Sequence, residues 1–203
     1  MHRLNLPLPE DGGAATYKNK FEYIYLYMIS IITINYNNKR GLENTVKSVI
    51  NQTFINFEYI VIDGNSNDGS KKVIEQYNSV FEYAVSEPDF GVYNAMNKGI
   101  KAAKGEYLLF LNSGDTLYDK DVLTNVSSFL NGNLDIYYGN LKFSAIENPT
   151  VYFYPSELSF NFFYKKSLGH PATFIKKSLF DRIGMYNEHL KIVADWEFFK
   201  IVL

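Results

Sequence analysis

The chain contains no cysteine. That removes disulfides, thiolate nucleophiles and Cys-ligated zinc together, and it is compatible with a reducing compartment. There is little charge imbalance either, since 20 Lys and Arg against 22 Asp and Glu leave a formal charge of −2. Nucleic acid is thereby disfavoured as the main partner, because a phosphate backbone is met by clustered cations. No apolar run reaches the roughly 20 residues that span a bilayer, and the densest, Phe21 to Ile34, is interrupted by Glu22. The early positive charges are not followed directly by an apolar core, so no signal peptide is read and a cytoplasmic chain is expected. Finally, T-I-N-Y-N-N at the first strand end has no glycine before Gly41. A nucleotidyltransferase loop and the G-x-G-x-x-G of dinucleotide-dependent oxidoreductases are both missing.

What is present suits one domain: 203 residues with 46% hydrophobic content can bury a substantial core. Tyr and Phe are abundant, which a Tyr/Asn/Ile/Lys-rich composition explains as readily as a stacking surface does. Residues 1–27, with Pro7, Pro9, Gly12 and Gly13 and no apolar periodicity, read as a disordered leader, a tag or a mis-assigned start, with Met28 a natural beginning. Residues 28–203 read as a single domain, a first half over 28–118 and a second over 119–203.

Strands and helices alternate through the first half. Ile29–Ile34 is a β-branched strand, and Leu42, Val46, Val49 and Ile50 follow at helical spacing. Tyr59–Ile62 is a second buried strand, followed by a helix to about Tyr77 and a strand at Phe81–Val85. A helix then places Val92, Ala95, Met96, Ile100 and Ala103 on one face. The stretch that organises the chain is Gly105 to Tyr118, in which the apolar strand Tyr107–Leu111 runs straight into a polar turn carrying Asp115. This rhythm predicts a mostly parallel sheet with helices on both faces, whose ligand crevice lies at the carboxyl ends of the strands. After Asp115 the pattern is mixed. A helix through Val122, Leu123, Val126, Phe129 and Leu130 precedes strands Leu134–Tyr138 and Leu141–Ser144 around a Gly139-Asn140 turn, then Val151–Tyr154.

Five motifs occur in order: T-I-N-Y-N-N; V-I-D-G-N-S-N-D-G-S; S-E-P-D-F-G-V-Y-N-A-M-N-K-G; F-L-N-S-G-D; and G-H-P-A-T-F-I-K with a late A-D-W-E-F. In this order they resemble glycosyltransferase family 2, in its bacterial polysaccharide-building branch, from Ile29 to the C-terminus. The resemblance implies an α/β GT-A fold, a nucleotide-binding half joined to an acceptor half, and inverting sugar transfer. It also implies a nucleotide-diphosphate-sugar donor, a UDP-sugar first among them, a glycan or lipid-linked acceptor, and a divalent cation, Mg²⁺ or Mn²⁺. A lipid-linked acceptor would bring peripheral contact with the inner face of a membrane; the oligomeric state is left open.

The same resemblance assigns residues. Asp63 would accept the imide N–H of the donor's base, or else stabilise the turn before Gly64. Thr33, Asn35 and Asn37 would contact base or ribose, and Glu87, Asp89 and Asn94 would lie near nucleoside and sugar, although the two acids also suit capping of the next helix. The N–H groups at the Gly91 helix start would be open to an anion. At F-L-N-S-G-D, Asn112 and Ser113 line the donor site. Asn112 and Gly114 replace two acidic positions of the family motif, leaving Asp115 as sole carboxylate for the ion, with His170 as a further ligand or phosphate contact. Asp195 would be the general base, or an N-cap of a Trp196–Leu203 helix. The apolar Phe198, Phe199, Ile201, Val202 and Leu203 would form an exposed surface for a partner or membrane, as in a C-terminally shortened, catalytically weak homologue.

Overall fold

A computed structural model describes residues 2–3, 27–144 and 149–202. In chain order they form β1 (His2–Arg3), β2 (Ile29–Asn35), α1 (Lys39–Ile50), β3 (Phe57–Asp63), α2 (Ser70–Gln76), β4 (Tyr83–Ser86), α3 (Val92–Ala102) and β5 (Tyr107–Phe110). There follow α4 (Val122–Ser127), β6 (Ile136–Tyr138), β7 (Leu141–Phe143), β8 (Thr150–Tyr152), α5 (Phe160–Lys165), β9 (Thr173–Lys176), α6 (Lys177–Ile183) and α7 (Ala194–Val202). The main sheet has the order β1-β6-β9-β5-β2-β3-β4. β2, β3, β4 and β5 are parallel to their neighbours within that group, whereas β9 runs antiparallel between β5 and β6. Of the expected leader, only His2, Arg3 and Tyr27 are described; the rest of 1–27 lies outside the described residues.

Both faces of the sheet are covered, and strand alternation divides the core in two. Ile32, Ile34, Ile60, Ile62, Leu108 and Phe110 point to one side, where α3, α6 and α7 pack through Met96, Ile100, Leu179, Phe180, Phe198 and Phe199. Ile29, Ile31, Tyr59, Val61, Tyr107 and Leu109 point to the other, against Leu42, Val46, Val49, Val73, Leu123 and Val126. Each fully buried aliphatic or aromatic side chain contributes about 1.5–3 kcal/mol. These interleaved faces therefore hold the strand ends in register.

Several sequence expectations are corrected here. Leu134–Tyr138 and Leu141–Ser144 do not form a hairpin about Gly139-Asn140. β6 instead pairs with β9 in the main sheet, Tyr138 opposite Thr173, and β7 pairs with β8 in a separate two-stranded sheet. Val92 is 37% exposed, so the buried stripe of α3 starts at Tyr93. Phe198 and Phe199 are not a free apolar surface, because both are buried against Phe180, Tyr186 and Phe163, leaving Ile201 exposed. Leu203 lies outside the described residues.

The closeness of α3 to β2 depends on Gly99, where an added Cβ would sit 2.4 Å from Ile32 Cγ2. Alanine gains about 1 kcal/mol in helix propensity, but overpacking against a fully buried strand residue costs about 1–3 kcal/mol. At so short a contact the clash wins. Gly99→Ala is expected to lower the urea midpoint by an amount equivalent to about 1–2 kcal/mol with the slope unchanged.

Candidate active site

The carboxyl ends of β2, β3 and β5 form one crevice. At its floor the fully buried Asp63 accepts from Asn35 Nδ2 at 2.6 Å, Ser66 Oγ at 2.6 Å, the Ser66 backbone N–H at 3.0 Å and Ser86 Oγ at 2.5 Å. Its two oxygens are thus met by four donors, which ties the ends of β2, β3 and β4 together. Asn35 turns its Nδ2 to this carboxylate, and its Oδ1 is left buried with no partner. Tyr36, 68% exposed, follows directly, and its ring lies 3.1 Å from where a Cβ on Gly64 would stand.

The turn after β5 is clamped from α1. Thr45 Oγ1 donates to the Asp115 carbonyl at 2.7 Å and accepts from the Gly114 N–H at 2.9 Å, while Asn38 Nδ2 donates to the Ser113 carbonyl at 2.8 Å. Gly114 has φ of 108°, a conformation that suits glycine. Asp115 Oδ2 accepts the Asn112 N–H at 3.1 Å. Burial pushes the Asp115 carboxyl above the usual carboxylate range, only partly offset by the nearby His170 and that N–H.

The second half delivers Asp195 to the same place. His170 Nδ1 stands 3.7 Å from Asp195 Oδ2, and its Nε2 lies 3.1 Å from Asn112 Nδ2, so the imidazole bridges the β5 turn and α7. Tyr93 on α3 donates its hydroxyl to Asp195 Oδ1 at 2.9 Å. Burial raises the proton affinity of Asp195, but His170 and the Tyr93 hydrogen bond outweigh it and hold the carboxyl below its ordinary range. An ionised, half-buried carboxylate is what a proton acceptor at neutral pH requires. Asp195 is the second residue of α7 and not its N-cap; the Val193 carbonyl takes the Glu197 N–H. Val193 has φ of 74°, a left-handed conformation costly for a β-branched residue. The chain is strained just before the carboxylate.

Known proteins resemble the chain in sequence and in fold. The family model described as Glycosyl transferase family 2 matches residues 30–184. The chain belongs to glycosyltransferase family 2. A PGL/p-HBAD biosynthesis glycosyltransferase of Mycobacterium bovis is 32% identical over 181 residues, covering 84% of this chain and 68% of the relative. The Escherichia coli UDP-Glc:alpha-D-GlcNAc-diphosphoundecaprenol beta-1,3-glucosyltransferase WfgD is 30% identical over 139 residues, covering 66% and 54%. Among solved structures, Staphylococcus aureus TarS 1-349 in complex with UDP superposes with a TM-score of 0.70 at 24% identity, covering 84% of this chain and 53% of that one. This chain therefore spans about half the length of that structure, and the shared fold is GT-A.

Within this family frame the expected site residues divide. Thr33 is corrected: it is fully buried two residues below the strand end, its Oγ1 3.0 Å from Tyr59 OH on the α1 side of the sheet. Glu87 is turned outward in an ion pair with Lys98 at 2.7 Å, a surface contact of small energetic weight. Asp89 Oδ1 caps the Gly91 N–H at 2.9 Å, so that N–H is already taken, and its Oδ2 lies over Gly64 at the crevice. Asn94 uses Oδ1 on the Phe90 N–H and Nδ2 on Glu188, linking α3 to the loop before α7. Asn37 takes φ of 48° and binds Ser66 Oγ and the Asn67 N–H through its backbone N–H and Oδ1, bracing the loop after β3. Asn112, Ser113, Asp115, His170 and Asp195 are brought together.

Sequence reasoning missed Thr45, Ser66, Ser86 and Tyr93. Ser66, Ser86 and Tyr93 sit inside the quoted motifs, but only the folded chain shows their partners.

The expected dication can be tested against the donor set. Among the described residues no three His, Asp or Glu side chains form a metal cage. The β5 turn does offer the Asp115 carboxylate, and Asn112 Oδ1 is buried without a partner. With His170 beside them, this set fits a hard ion that keeps water and draws further ligands from a diphosphate, and it does not fit one held by protein alone.

Proposed function

We propose that this chain moves a sugar, with inversion, from a nucleotide-diphosphate donor, a UDP-sugar first, to a hydroxyl of a glycan or lipid-linked acceptor in polysaccharide or glycolipid assembly. The observation that carries this is the convergence of Asp195, from the second half, on the turn that carries Asp115. A proton acceptor and a diphosphate-facing carboxylate share one crevice. The UDP held by TarS supports the donor class, and the diphosphoundecaprenol in WfgD's name supports a lipid-linked acceptor.

In this reading Tyr36 stacks on the base, where base–aromatic contact is worth about 1–3 kcal/mol. Asn35 Oδ1 and Asp63 offer the acceptors for its imide N–H, Asp63 by releasing a serine donor. Asp89 and the β5 turn flank the sugar and diphosphate. Asp195 takes the acceptor hydroxyl's proton as that oxygen bonds to C1 and the C1–diphosphate bond breaks on the opposite face. Asp115 and Asn112, with His170, would hold Mg²⁺ or Mn²⁺, which when bound neutralises charge on the departing diphosphate.

The test is thermal shift with UDP, GDP and dTDP, each with and without Mn²⁺. One nucleotide at a hundred times its Kd is expected to stabilise the chain by about 2.7 kcal/mol, a rise of roughly 5–10 °C at this size. Absence of any shift with all three would defeat the donor-site reading. In that case the family relationship would describe ancestry and fold alone.

A further inference from the structure

The S-E-P-D-F-G-V-Y-N motif contains a side chain with no part in the reading above. Tyr93 is buried in α3, its ring packed on Tyr186 at 5.7 Å, and its hydroxyl reaches across 102 positions of sequence to Asp195 Oδ1 at 2.9 Å. On the other side of the same carboxylate, Oδ2 faces His170 Nδ1 at 3.7 Å, beyond hydrogen-bond length. Oδ1 is thus held by a hydrogen bond, while Oδ2 has the longer contact with His170. We infer that Tyr93 is a positioning residue: its hydroxyl holds Asp195 Oδ1 so that Oδ2 is the oxygen that takes the acceptor's proton.

Three observations agree with this role, which rests on the reading of Asp195 as the base. Burial, reinforced by the charge of Asp195, pushes the Tyr93 phenol up to about 12, so it remains a donor throughout the neutral range. Val193, with φ of 74°, turns the chain through a left-handed conformation immediately before α7 and Asp195. Asn94 and Asn97, one and four positions on from Tyr93, both bind Glu188 in the loop that leads to α7. The α3 surface thus fixes both the loop and the carboxylate it delivers.

Tyr93→Phe keeps the ring and its packing and removes only the hydroxyl. The full chain is assayed as UDP release from UDP-glucose and UDP-GlcNAc, water serving as acceptor where no other is supplied. The variant is expected to lose about tenfold in kcat, the worth of one hydrogen bond to a charged group. Donor KM and the UDP-induced thermal shift are expected to stay unchanged, while the Tm of the free chain falls by a few degrees at most, because one hydrogen bond to the ionised Asp195 is lost. Added to Asp195→Asn, it is expected to cost nothing more, because residues acting as one unit are non-additive. An unchanged kcat in Tyr93→Phe, or a loss that adds fully to that of Asp195→Asn, would overturn the inference while leaving the base in place. An Asp195→Asn variant with full turnover, or no UDP release by the unaltered chain, would instead remove the reading beneath it.

Discussion

Asp195→Asn is expected to lower kcat by about 10²–10⁴, the range supplied by one positioned general base, and to leave donor KM and UDP affinity within about twofold. The substitution is nearly isosteric. The new amide oxygen can still accept the Tyr93 hydroxyl, and the geometry of α7 is unaltered, so the lost quantity is the proton-accepting oxygen itself. A parallel loss of UDP affinity and turnover would show that Asp195 binds the donor, and the assignment of the base would fail. Stability provides an independent check. The folded-state pKa of Asp195 is depressed, with burial opposing and His170 and Tyr93 prevailing. Its ionised form therefore stabilises the fold above the unfolded carboxylate value of about 3.9, and that contribution disappears as pH falls through the lower folded value. Asp195→Asn is expected to lose a little stability at neutral pH and to flatten that part of the acid dependence.

The parts of this architecture written locally were legible, and those written across long separations were not. β2, β3 and β5 announce themselves as short apolar runs because both of their faces are buried, and the carboxylates that follow them fall at the crevice by topology alone. β9 has only four residues, directly after the Pro171 turn, and nothing in T-F-I-K says that it slots antiparallel between β5 and β6. Without it, β6 and β7 look like a hairpin. Thr33 was misplaced for a related reason: lying near the end of a strand does not reveal on which face a residue points, and its parity with Ile29 and Ile31 sends it toward α1. Phe198 and Phe199 looked exposed only because Phe180 and Tyr186, which cover them, belong to segments whose packing no local pattern records. The site followed the same rule. Asp195 could be named from its motif, whereas its contact with Tyr93 exists only in three dimensions.

Asp115→Asn is expected to act with opposite signs on the free and the liganded chain. In the free chain burial raises the Asp115 pKa, so the folded state holds its proton more tightly than the unfolded state. Stability is then lost as pH rises from the unfolded value to the folded one, and the deficit persists at neutral pH. An amide of the same shape carries no charge to desolvate and still offers an oxygen to the Asn112 N–H. The variant is expected to melt a few degrees higher, a gain of order 1 kcal/mol. With UDP and Mn²⁺ together the order reverses, since removing the sole carboxylate of the turn should weaken binding roughly ten- to a hundredfold. UDP without metal separates the causes: a bare carboxylate repels a diphosphate, so there the variant should bind as well as the unaltered chain or better. Weaker binding of UDP in the absence of metal would mean that Asp115 meets the nucleotide through hydrogen bonds alone. Equal binding in its presence would take the ion away from this turn. Only a metal-dependent change of sign is consistent with a carboxylate retained at an energetic cost to the fold because it joins a dication to the departing diphosphate.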